Sequence, residues 1–211
     1  APFIRTPEAR WPQIVMESDL VLPSATHRQL AFLVQRAGGI VAVSAVPFPS
    51  EPPAGNLVRD TFRKMQKWTM WPPQKPKGVL EAISCETKKP VNFQAVLAMA
   101  IKPFAGTPPV HALTIRDEPR EPSFTSPHFV VGCRRVQSGC EQVVYEGTLI
   151  GSSSHALRLR LQEKVEDAET LRGAPVLDED GYVIAVVVEP ASTTAAVTSL
   201  DAQPVSLAFD E

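Results

Sequence analysis

An all-β protein is what this sequence predicts, on three observations. It is rich in proline, it is broken into many short apolar runs by turn residues, and almost none of it has helical periodicity. The 211 residues include 21 prolines, each lacking a backbone donor and clashing with the turn before it, so long helices are disfavoured. Strand-length runs recur at roughly 8- to 15-residue spacing, which suits a sandwich or barrel and not βαβ units.

In chain order, residues 1–28 are spaced by prolines and read as an extended arm. The runs 29–35 and 39–46 read as two strands joined by a glycine turn. Val58, Phe62, Met65 and then Trp68 or Thr69 fall on one face at helical spacing, with Asn56 as N-cap and Pro72 as stop. This is the one predicted helix. Strands follow at 78–86, 94–101 and 110–115, the last inside a proline-rich crossing. Beyond it come 129–136, 141–150, 155–162, 175–178, 181–188 and 205–209. The predicted organisation is an arm (1–28), a first barrel (29–116), a connector (117–128) and a second barrel (129–211).

Composition narrows the function classes. With 44% hydrophobic residues, 21% charged residues and a net charge of −2, the chain has no global charge that points to nucleic acid or a membrane surface. Its longest uncharged apolar runs, 93–101 and 182–188, are shorter than the roughly 18 to 20 residues a spanning helix needs, so no membrane span is expected. No glycine-rich phosphate loop or other cofactor signature is present, and no cofactor is expected. The four histidines do not cluster with carboxylates at ligand spacing, and 178-DEDG-181 lacks the later ligands of a calcium loop, so no metal is expected. Cys85, Cys133 and Cys140 form no CxxC pair. A 133–140 hairpin disulfide is open, although buried free thiols are the reading the sequence favours. The chain begins Ala-Pro-Phe, and a preceding signal peptide would make it secreted or periplasmic.

Charge is unevenly placed. Arg59, Arg63, Lys64 and Lys67 precede Trp68 and Trp71, while residues 163–180 hold seven acidic residues against Lys164 and Arg172. Two solvated faces are one reading. The other is a basic interface with tryptophan anchors for an acidic protein or peptide partner or a polyanion.

The segment Gly173-Ala174-Pro175-Val176-Leu177-Asp178, then Gly181 and 183-VIAV-186, pairs a sharp turn with a hairpin. It resembles the trypsin-like (chymotrypsin-fold) serine peptidases, especially bacterial periplasmic members. That resemblance implies two six-stranded antiparallel β-barrels and sets the family's serine on Arg172, with the preceding glycine on Thr170. The frame Gly38 to Val46 resembles the strand before the family's histidine and sets that residue on Ala45. The frame Phe93-Gln94-Ala95-Val96-Leu97 sets the aspartate on Phe93. All three frames occur in family order, and all three lack the catalytic residue.

The resemblance therefore implies a non-catalytic pseudoprotease that serves as a binding or structural module. Two alternatives stand beside it: a hydrolase with another nucleophile, for which Ser152 to Ser154 and His155 are the candidates, and an unrelated all-β binding domain. For Arg172 the bland reading is a side chain filling the old cleft. The sharper one is a niche for a carboxylate or chain terminus built from Thr170, Leu171, Arg172 and Gly173.

Overall fold

A computed structural model of the chain describes residues 2–46, 64–73, 80–83, 94–137, 139–153, 155–193 and 198–209. Two antiparallel sheets account for nearly all regular structure. The first contains β1 (Met16–Val21), β2 (Thr26–Arg36), β3 (Gly39–Ala45), β4 (Lys67–Trp71), β5 (Leu80–Glu81) and β6 (Val96–Ala100), in the order β5-β4-β1-β2-β3-β6. Among the described residues a bridge between Ala82 and Ile101 links its two edges. The second contains β7 (His128–Val136), β8 (Gly139–Ser152), β9 (Leu157–Leu161), β10 (Pro175–Leu177), β11 (Val183–Thr193) and β12 (Thr198–Pro204), and it closes into a barrel. The predicted all-β class is correct: one barrel is closed and the other is a half-barrel sheet.

Local sequence explains these elements. In β9, 157-LRLRL-161 alternates buried leucine with exposed arginine, the period of a strand with one wet face. In β2 the run Leu30–Val34 is buried on both faces, matching its unbroken apolar stretch. The β2–β3 turn ends on Gly39, whose φ of 129° suits glycine.

Two strands lie where none was predicted, and polarity hid both. In β1 the buried pair Glu17 and Ser18 interrupts the apolar pattern, and in β12 Thr198 and Gln203 are buried. Four other predictions need correction. Residues 110–115 make one parallel bridge, Val34 to Leu113, in place of a strand. The run at 205–209 forms a 3-10 turn over Val205–Ala208, since a short apolar run does not distinguish the two. The predicted helix lies mostly outside the described residues, but its proposed end at Trp68 and Thr69 is strand β4. Cys133 and Cys140 are joined across the β7–β8 hairpin with Cα atoms 5.4 Å apart, which corrects the free-thiol reading. No helix among the described residues is long and apolar enough to cross a membrane.

Two segments tie the halves together. The part of the N-terminal arm ahead of β1 lies on the second barrel, where Gln142 Oε1 accepts the amides of Ile14 (2.7 Å) and Val15 (3.1 Å) and Gln142 Nε2 donates to the Pro12 carbonyl. Trp11 meets Phe129 and Phe3 edge to face. The connector is held at Arg116, which pairs with Asp178 (2.9 Å) and Asp180 of the β10–β11 turn and lies over the Tyr182 ring.

Candidate functional site between the sheets

The sheets meet where β2 and the end of β3 face the segment before β10. The Leu30 amide donates to the Arg172 carbonyl at 2.9 Å. Next in the chain, Gly173 has a φ of 88°, and a Cβ there would stand 2.0 Å from the Leu30 carbonyl oxygen and 2.7 Å from Ser44 Oγ. Only glycine fits. Ser44 Oγ donates to the Leu30 carbonyl, while Gln29 Nε2 donates to Ser44 Oγ (2.8 Å) and to the Ala45 carbonyl. Across the junction Gln203 Oε1 accepts the Ala95 amide at 2.7 Å. These polar side chains bind backbone groups that would otherwise be buried unpaired.

The three frame positions take different places. Ala45 is fully buried, with its carbonyl capped by the Gln29 amide. Phe93 lies outside the described residues. Arg172 is half-buried at the mouth of a cavity of about 280 Å³, which Arg28, Gln29, Arg135, Glu17 and Thr170 also line.

Of the four residues predicted to form a niche, two face this cavity. Thr170 and Arg172 line it, whereas Leu171 is buried against Gly132, a position where a Cβ would lie 2.5 Å from the Leu171 side chain. Gly173 is buried by its contact with Leu30. The backbone donors expected beside Arg172 are also spent. The 3-10 turn Ala168–Leu171 directs the Thr170 amide to the Asp167 carbonyl (3.0 Å) and the Arg172 amide to the Glu169 carbonyl (3.3 Å). Any anion here meets side chains, not amides.

The local charges are partly paired. Arg28 binds Asp19 at 3.0 Å and lies over Trp71. Arg135 Nη1 stands 2.7 Å from buried Glu17 Oε1, close enough for an ion pair but off the line of a directed hydrogen bond. Arg172 donates Nε to the Val188 carbonyl at 3.2 Å, which orients the guanidinium. No carboxylate among the described residues pairs with it, although Asp167 and Glu169 line the same cavity. Burial pushes the His27 pKa below its usual value, and the positive charge of Arg172 adds to that shift.

The remaining candidates separate. Lys64 and Lys67 are exposed, whereas Trp68 is fully buried and Trp71 nearly so, which places both tryptophans in the core and off any docking face. Arg59 and Arg63 lie outside the described residues, as does Ser154. Ser152 and Ser153 precede a turn closed by the Ser153 amide on the Ala156 carbonyl, and His155 is exposed beside it. Among the described residues no group of three or more His, Cys, Asp or Glu side chains is placed to hold a metal. Sequence reasoning missed Glu17, Gln29, Ser44, Gln142 and Gln203. The one available signal was an isolated polar residue at the edge of or inside an apolar run, as in 29-QLAFLV-34 and 40-IVAVSAV-46.

No protein-family model matches the sequence, and no curated protein matches it. Solved structures do. The protease Anisep from Arthrobacter nicotinovorans superposes with a TM-score of 0.60 at 10% identity, covering 89% of this chain and 89% of that one. The thermostable serine protease AL20 from an extremophilic microorganism gives 0.59 at 10% identity, covering 89% and 90%. The active form of the Rv3671c protease from M. tuberculosis gives 0.51 at 15%, covering 89% and 75%. The structural neighbours are thus serine proteases of the trypsin-like, chymotrypsin fold, and the likeness shows that this chain shares that fold. They also overturn the predicted function. The likeness extends to a protease in its active form, and at 10–15% identity it gives no support to a non-catalytic pseudoprotease module.

Proposed function

We propose that the cavity between the two sheets recognises a single carboxylate on a peptide, a C-terminus or an acidic side chain, with Arg172 as its anchor. The observation that carries this reading is the state of Arg172. Nε is fixed on the Val188 carbonyl, and no carboxylate among the described residues pairs with the guanidinium at the cavity mouth. A guanidinium held this way presents a planar pair of donors that matches a carboxylate. The Thr170 hydroxyl donates to the Asp167 carbonyl, so Thr170 shapes the wall and does not bind. Asp167 and Glu169 on the rim confine positive potential to the three arginines, which favours one carboxylate over a polyanion.

The test is a calorimetric titration with N-acetyl-trialanine as free acid and as amide, with the mass of each peptide checked afterwards for cleavage. The acid should bind about tenfold more tightly than the amide, as expected for a charge-assisted contact. Arg172→Gln should erase that difference and Arg172→Lys should restore part of it. Equal binding of acid and amide by the unaltered chain sinks the reading.

A further inference from the structure

A second cavity, of about 870 Å³, lies at the connector. It shares three strands with the first but uses their other ends: Arg36 against Gln29 on β2, His128 against Arg135 on β7, and Ser152 against Cys140 on β8. Seven residues of strand separate Gln29 from Arg36, roughly 23 Å at the usual rise. Its floor is apolar, built from Ile115, Val183, Ile184, Val205 and Phe209.

The charged groups around that floor are carboxylates and cations that already have a partner, with serine hydroxyls, able to donate or accept, beside them. Arg116 is held by Asp178 and Asp180, and Arg120 reaches Glu179 and Asp180 at 3.5 Å. Arg36 stacks on Phe209, 4.1 Å from the ring centroid. By contrast Asp117, Glu118 and Glu121 line the groove, and no cation among the described residues pairs with them. His128 adds an independent signal. It is 2% exposed and forms part of the groove wall, and Nδ1 lies 3.1 Å from the Ser126 carbonyl. A carbonyl only accepts, so Nδ1 carries the proton and Nε2 is a bare acceptor with no partner among the described residues.

An apolar floor edged by unmatched acceptors suits a side chain with an aliphatic stem and a donor-rich cationic head. We propose that this groove docks an arginine-bearing basic segment of a partner protein. The stem lies on Ile184 and Val205, and the head is taken by Glu118, Glu121 and His128 Nε2. The site is separate from the carboxylate cavity and has the opposite charge preference.

The test follows backbone and imidazole NMR signals of the whole chain during titration with acetyl-Leu-Arg-Leu-Arg-amide. A twin peptide with citrulline in place of arginine keeps the shape and lacks the charge. Saturable shifts should fall within 115–128, 183–184 and 204–209, and the citrulline twin should bind about tenfold more weakly. The double variant Glu118→Gln/Glu121→Gln removes two surface charges and leaves the core untouched. It should weaken the arginine peptide about fivefold and leave the twin unchanged. His128→Asn keeps a donor for the Ser126 carbonyl and, being shorter, leaves no acceptor at the Nε2 position, and it should weaken the arginine peptide as well. Equal binding of the two peptides, shifts centred on 167–173, or no saturable binding up to about 1 mM overturns the proposal. None of these readouts depends on the acid-against-amide titration of the other cavity.

Discussion

The two sheets have the same strand number and differ in how they hold themselves together. The second closes on itself through the β7–β10 pairing, and a disulfide joins the two strands of its longest hairpin. In the first, among the described residues, the two-residue strand β5 and the Ala82–Ile101 bridge join the edges. Several contacts across the junction start from side chains of the second half. Gln142 and Gln203 belong to the second half, and they bind backbone amides of Ile14, Val15 and Ala95 that lead into strands of the first. Arg135 likewise reaches the buried Glu17 of β1. The second barrel thus acts as a clamp for a first sheet that is incomplete on its own.

The strongest way to break this contrast is Gly173→Ala. The added methyl would collide with the Leu30 carbonyl, and the backbone sits at positive φ, so a loss of about 3 to 5 kcal/mol is expected in urea unfolding. Hydrogen exchange should rise in β2 and β3 before it rises in β7 and β8. Uniform acceleration across both sheets would show that the first does not lean on the second.

Gln142→Ala comes next. It leaves the amides of buried Ile14 and Val15 without their acceptor, and about 2 to 3 kcal/mol should be lost. Limited proteolysis should then cut within residues 2–15 while the second barrel stays intact. Replacing both Cys133 and Cys140 with serine opens the short loop they close and should cost about 2 to 3 kcal/mol. If the clamp model holds, that loss appears in both halves, because Arg135 and Gln142 sit on the same hairpin rungs, opposite Cys140 and Cys133.

The smallest effect concerns pH. Burial lowers the pKa of His27, His111 and His128, so folding favours their neutral forms. Their stabilising share is complete above the unfolded value near 6.5 and is lost as pH falls from there through the folded values. Melting temperature should therefore drop on acidification below about pH 6.5. His128→Gln should flatten that drop more than His27→Gln does, because His128 is the more deeply buried.

How much of this was legible in the sequence depended on polarity. Strands with an unbroken apolar run or strict alternation, such as 30-LAFLV-34 and 157-LRLRL-161, were readable because one rule governs them. The missed strands β1 and β12 are those whose Glu17 and Gln203 are buried in order to serve the junction. A contact between residues 108 apart, such as Ala95 and Gln203, leaves no local pattern. The same holds at the site. The frame around Arg172 was visible, but the 3-10 turn that consumes its amides and the burial of Leu171 depend on β7 packing beneath. Trp68 and Trp71 looked like surface anchors because their basic neighbours were visible, while the sheet that covers them was not.

The arm has one more consequence, and it concerns time. Ile14 and Val15 find their acceptor on a residue made 128 and 127 positions later. At a synthesis rate of about 5 to 20 residues per second, the arm waits on the order of ten seconds for Gln142. Throughout that interval the first half exists as a growing chain with its start undocked. The first half is synthesised first and, on this account, acquires its final structure last.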